Sequence, residues 1–176
     1  MFYSSSPSNS IYGYCGYAVL YHGEARFTED IDIILGVDND DLSRILNIVS
    51  GDFQVRTKNP EKFVNQTNVL PLRETDSGIK VDLIFSFIEF EREAIRNAEI
   101  VKIEGNEVRI VKAEDLIIYK LLAGRPKDLE DAKNVLQLNE TKIDLKKIDH
   151  SINEISEMMG NDSVIRKWNE IKDQSG

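Results

Sequence analysis

The sequence predicts an α+β fold: a small mixed β-sheet flanked by helices, with a helical C-terminal part. Three observations lead there. Short runs of β-branched and apolar residues recur at 31–37, 79–86, 100–103 and 108–111, as half-buried strands require. Asp76-Ser77-Gly78 and Glu104-Gly105-Asn106 are turn signals that fold neighbouring strands into hairpins. From Ala113 onward the chain keeps helical spacing, broken near Gly124-Arg125-Pro126, at 139–144 and at 160–162. The expected organisation is a loosely ordered stretch over 1–10, a core over 11–112, and a helical part over 113–176 packed on that core.

Composition bounds the class. A chain of 176 residues can bury one good core, or one core with a helical appendage. An apolar share of 41% excludes wholesale disorder, and no apolar run approaches the ~18 residues of a membrane span. The serine-rich first ten residues have neither the basic start nor the apolar stretch of a secretory signal. A single cysteine, Cys15, allows no intramolecular disulfide and no cysteine-based zinc site. These features together point to the cytoplasm. The net charge of −9 argues against a broad basic face for nucleic acid, but permits a local basic pocket. It also suits nucleotide binding through a cation held by carboxylates.

The elements follow in order. Residues 11–23 read as a turn and a short helix. Residues 31–37 form a strand entering the core, and the acids of 38–41 cap a helix over 42–50 that Gly51 ends. Residues 53–56 make a short strand, and Pro60 opens a helical turn. The stretches 69–74 and 79–86 flank the first hairpin turn. A charged helix over 88–98 leads to the second hairpin.

The sharpest feature is Thr28-Glu29-Asp30-Ile31-Asp32-Ile33-Ile34. Residues two apart on a strand share a face, so Asp30 and Asp32 project together while Ile31 and Ile33 enter a core. Adjacent carboxylates repel, and a hard cation such as Mg²⁺ or Mn²⁺ relieves that cost through oxygen ligands. A solvated strand face would give the same pattern. Lys80-Val81-Asp82-Leu83-Ile84 then places a lone acid in an apolar strand, where it needs a partner. If the two strands are neighbours, Asp82 completes a three-acid metal site; otherwise it pairs with a nearby Lys or Arg. Three such acids could hold two cations, one orienting a triphosphate and one acidifying an attacking hydroxyl. Upstream, Gly13 and Gly16 precede the short helix, where a backbone turn and helix N-terminus can approach phosphate.

These pieces resemble the nucleotidyltransferase superfamily, with its glycine turn, Asp-x-Asp strand and third acid on a later strand. Cys15-Gly16-Tyr17-Ala18, His22-Gly23, Arg26, Thr28 and Asp30-Ile31-Asp32 look like its AbiEii/MenT-type branch. A second block looks the same: Ala113-Glu114-Asp115-Leu116-Ile117, Lys120-Leu121, and Gly124-Arg125-Pro126-Lys127-Asp128-Leu129-Glu130-Asp131. The resemblance covers residues 13–136. It implies a polymerase-β-like fold, an NTP substrate, Mg²⁺, and a hydroxyl acceptor, sometimes on tRNA or on protein. It also implies a toxin role with a cognate antitoxin protein as partner.

Candidate roles follow. Asp30, Asp32 and Asp82 are the metal ligands, and Asp82 by analogy helps deprotonate the acceptor. Gly16, Arg26, Thr28 and Lys120 are the nucleotide-binding candidates. Arg26 offers a planar donor fork to phosphate, or pairs with Glu24 or Glu29 on the surface. Lys120 sits on an apolar helix face, where it snorkels to water or faces a pocket. Asp128 lies in the inward arc of Leu129, Ala132, Val135 and Leu136, with Asp131 on its shoulder. A Lys120–Asp128 pair or a shared ligand site results, with Lys120 on phosphate, Asp128 positioning it and Asp131 in support. His22 matches the family turn, and His150 is an exposed helical residue. Cys15 stands where the family has its first glycine, which leaves a second reading: a degenerate module of the same fold that binds nucleotide or a partner without turnover. A third is an aminoglycoside-type transferase for a small cationic acceptor.

Overall fold

The computed structural model describes residues 12–14, 18, 21–23, 30–86, 88–103 and 105–174, with backbone alone at 12–14, 30 and 106. Its strands are β1 (Tyr12–Tyr14), β2 (Asp30–Leu35), β3 (Phe53–Val55), β4 (Val69–Glu74), β5 (Lys80–Phe85), β6 (Glu99–Ile103) and β7 (Asn106–Ile110). The helices are α1 (Leu42–Val49), α2 (Pro60–Thr67), α3 (Glu89–Arg96), α4 (Ala113–Ala123), α5 (Pro126–Leu138), α6 (Leu145–Met159) and α7 (Ser163–Asp173). A short 3₁₀ turn, Asn39–Asp41, precedes α1, with the Asp38 carboxylate accepting from the Asp40 N–H.

All seven described strands join one mixed sheet in the order β3-β4-β5-β2-β1-β7-β6. Both expected hairpins form, β4 with β5 and β6 with β7, each antiparallel around its glycine turn. The parallel contacts, β2 with β5 and β1 with β7, join segments distant in sequence. The mixed α+β fold is therefore as expected. One element differs: residues 12–14, read as a turn, form β1, an interior strand of the sheet between β2 and β7. Tyr12-Gly13-Tyr14 is too short to show alternation, and its strand geometry comes from pairing with β2 on one side and β7 on the other.

Period-two alternation divides the core between the sheet's two faces. Ile33 and Leu35 of β2, Leu70 and Leu72 of β4, and Val81, Leu83 and Phe85 of β5 meet Leu42, Ile45 and Val49 of α1 and Val64 of α2. On the opposite face, Ile34 and Ile110 meet α4 to α7. The central element there is α4, buried on most sides; Leu116, Ile117, Ile118 and Leu121 are fully buried. Burying such side chains contributes about 1.5–3 kcal/mol each. Trp168 of α7 seals the helical layer, its Nε1 donating to Asp149 Oδ1 at 2.6 Å.

Candidate active site

Pairing of β2 with β5 decides where the acids stand. The strands run parallel, with Asp32 opposite Asp82 and Asp30 opposite Lys80. Register partners on neighbouring strands are about 4.8 Å apart and project to the same face. Ile31, Ile33 and Leu35 face the α1–α2 core, so Asp32 and Ile34 share the other face, the one carrying the C-terminal helices. Asp82 and Ile84 do the same on β5, whose alternate residues Val81, Leu83 and Phe85 are buried opposite. Asp32 and Asp82 are half-buried. The side chain of Asp30 lies outside the described residues, and among the described side chains no three His, Cys, Asp or Glu converge. Two carboxylates in register, backed by apolar residues, form a donor set of hard oxygens that fits a divalent cation.

Asp82 has a basic neighbour that sequence reasoning left unspecified. Arg56 follows β3 and extends its ladder, its N–H donating to the Pro71 carbonyl at 2.8 Å. Its Nη1 reaches Asp82 Oδ1 at 3.3 Å, with both side chains about 30% exposed (31% and 27%). The salt-bridge alternative for Asp82 is thus realised through one of its oxygens. Nothing in the local sequence identifies Arg56, because its approach depends on β3 docking on β4 and β4 on β5.

The helical block supplies a second charged cluster. Lys120 is buried on α4, and its ammonium donates to Asp128 Oδ1 at 3.1 Å and lies 3.0 Å from Asp131 Oδ2. Of the two expected arrangements, the Lys120–Asp128 pair forms, with Asp131 as a second acceptor. Arg125, 75% exposed, also clamps Asp128, through Nε to Oδ2 and Nη2 to Oδ1 at 3.2 Å. Burial pushes the Asp128 carboxyl upward, but hydrogen bonds from Arg125 and Lys120 outweigh it and hold Asp128 below the ordinary carboxylate range. The Asp128 carboxylate in turn raises Arg125, whose guanidinium also feels the negative charge of Asp32. The α4–α5 corner thus holds the second motif block on the face of the sheet that Asp32 and Asp82 share.

Gly16, Arg26 and Thr28 lie outside the described residues. Gly16 is the second residue after β1 in the sequence, and β1 lies against β2. His22 plays a larger part than the sequence suggested: Nε2 donates to the Val111 carbonyl at 3.0 Å, and its own carbonyl accepts from Asn139 Nδ2 at 2.6 Å. It ties the first motif block to the start of α4 and the end of α5. His150 is exposed on α6 as expected.

With this geometry in place, comparison with family models finds one described as "nucleotidyl transferase of unknown function (DUF2204)", matching residues 61–168, more than half of the chain. The chain belongs to this nucleotidyl transferase family. Asp82, Lys120, Asp128 and Asp131 fall inside the matched span, and Asp30 and Asp32 precede it. Among solved structures, the chain is similar to an antigenic nucleotidyltransferase-like protein from Paracoccidioides brasiliensis, at 16% identity and a TM-score of 0.50. That likeness covers 84% of this chain and 79% of the other, and shows a shared fold. JHP933 from Helicobacter pylori matches at 20% identity and a TM-score of 0.42, over 85% of this chain and 70% of its own. No curated protein matches. Among the described residues of this nucleotidyl transferase family member, no helix is long and apolar enough to cross a membrane.

Proposed function

We propose that this chain is a metal-dependent nucleotidyltransferase of the AbiEii/MenT-type branch, moving an NMP from an NTP to an acceptor hydroxyl in the cytoplasm. The observation that carries the reading is the register of Asp32 with Asp82 on adjoining parallel strands, facing the side that carries the C-terminal helices. Asp30, Asp32 and Asp82 would hold the cation, Mg²⁺ or Mn²⁺, which when bound neutralises phosphate charge and acidifies the acceptor hydroxyl. Asp82 takes the acceptor proton, the acceptor oxygen bonds to the α-phosphorus, and the bond to pyrophosphate breaks. Arg125, gripped by Asp128 with the Lys120 charge behind it, meets the triphosphate; Asp131 shares the load of holding Lys120. Gly16, Arg26 and Thr28 complete the nucleotide side. The same resemblance favours a toxin whose activity a cognate antitoxin protein restrains, with tRNA or a protein as acceptor.

The test is incubation of the protein with labelled NTPs, Mg²⁺ and either bulk tRNA or cell extract. Label is expected on an acceptor with pyrophosphate released, and Asp32→Ala or Asp82→Ala should lower the rate by at least about 100-fold. Label on no acceptor under any NTP would defeat the proposal. A second reading, a degenerate nucleotide-binding module, is favoured by the Arg56–Asp82 ion pair and by Cys15 at the glycine turn. Calorimetry distinguishes them: the module binds Mg·NTP and releases no pyrophosphate.

A further inference from the structure

A charged residue of opposite sign stands in register with the two carboxylates. The Arg56 N–H donates to the Pro71 carbonyl and so continues the β3–β4 ladder, in which Val55 is opposite Leu72. Pro71 is opposite Asp82, and Asp82 is opposite Asp32. Partners share a face, so Arg56, Pro71, Asp82 and Asp32 form one row across four strands. Two strand spacings, about 9.6 Å, separate the backbones of Arg56 and Asp82. The Arg56 side chain spans that gap past Pro71, which is buried and whose ring carries no polar atom to hold the guanidinium. It meets Asp82 from the β3 side, opposite Asp32.

We propose that Arg56 is a resident counter-ion of the carboxylate site, holding Asp82 until a divalent cation takes it and giving it up then. This role rests on the metal-dependent reading above and adds a residue to it. Carboxylates in register repel each other, and one guanidinium relieves only part of that cost. A divalent cation relieves more, and the two positive groups repel each other if both stay close to Asp82. The contact is of a kind that opens. Nη1 lies 3.3 Å from Oδ1, beyond the about 2.7–2.9 Å of a tight charged hydrogen bond, and both side chains are partly solvated. The Arg56 backbone stays bonded to Pro71 at 2.8 Å, so release needs side-chain rotation alone. Lys120, Asp128 and Asp131 have no such freedom, because they are buried together. The coupling is reciprocal: the pair weakens cation binding by the same factor by which the cation weakens the pair.

Two measurements on the whole chain, without NTP or acceptor, read the two sides of that coupling. In calorimetry with Mn²⁺, Arg56→Gln should bind the ion about fivefold more tightly than the unaltered chain, the upper limit for opening a partly solvated pair. Arg73→Gln removes an equal charge from an exposed residue one row along the same face and should stay within about twofold. In the unaltered chain, phenylglyoxal labelling read residue by residue in a mass spectrometer should modify Arg56 faster when Mn²⁺ is saturating. The expected gain is about the same factor, with Arg73 unchanged. That second measurement uses no variant, so an effect of substitution on folding cannot imitate it. Equal or weaker Mn²⁺ binding by Arg56→Gln overturns the proposal, and so does Arg56 labelling that ignores Mn²⁺. Mn²⁺ binding by neither chain overturns it together with the metal-dependent reading. Arg56-sensitive Mn²⁺ binding by a chain that transfers no nucleotide upholds the counter-ion and removes the transferase reading alone.

Discussion

Two kinds of ion pair meet at the site, and their surroundings give them different weights. Arg56–Asp82 is partly solvated, so its Coulomb gain is screened and contributes at most about 1 kcal/mol. Such a pair can open when a cation or phosphate arrives. Lys120, Asp128 and Asp131 are buried together, where each charge depends on the others for its solvation. Lys120→Met should therefore cost about 3–5 kcal/mol in urea unfolding, because two carboxylates lose their buried cation. The triple variant with Asp128→Asn and Asp131→Asn should recover most of that loss. Both pairs involve residues that the sequence marks, yet only Lys120–Asp128 could be read from helical spacing. Arg56 belongs to a short strand whose neighbours are chosen elsewhere in the chain.

At the scale of elements, the α4–α5 corner controls where Arg125 stands. Gly124 caps α4 with φ +65°, and a Cβ there would lie 2.2 Å from Lys167 Nζ. That lysine, from α7, donates to the Leu121 carbonyl at 3.2 Å and so caps the same helix end. Gly124→Ala should destabilise the chain by about 1–2 kcal/mol from the left-handed backbone alone, read as a lowered unfolding midpoint in urea. The turn Gly124-Arg125-Pro126 was legible because its signals are local: glycine past a helix end and proline opening the next. β1 was not, since three residues around a glycine carry no periodicity, and pairing on both sides supplies what the segment lacks. The hairpins were legible for the same local reason as the corner.

Across the whole molecule, stability is tied to pH by carboxylates shifted in opposite directions. Asp128 is held below the ordinary range, so its contribution is present above about pH 4 and is lost as pH falls through its depressed pKa. Asp115, buried on α4 and paired with Lys147 at 2.6 Å, is pushed up by burial more than Lys147 lowers it. Its contribution is present in acid and is lost as pH rises through the elevated value. Urea unfolding between pH 3 and 8 should show opposite slopes for two variants. The stability gap between the unaltered chain and Asp128→Asn should narrow as acid is added. The gap to Asp115→Asn should narrow as pH rises.

The sequence by itself determined the helices from residue 42 onward, the two hairpins and the strand on which Asp32 alternates with Ile31 and Ile33, because each depends on spacing within a dozen residues or on a local turn. It also marked Asp82 and Lys120 as charged residues in apolar runs, which need partners. Only the tertiary structure decided that β5 lies beside β2, that Arg56 reaches Asp82, and that His22 binds the Val111 carbonyl. Those contacts join distant segments, and the choice among possible neighbours is made by burying Val81, Leu83 and Phe85 with Ile33 and Leu35 in one core. Burial is non-directional and belongs to the whole chain, so no short stretch of sequence can specify it.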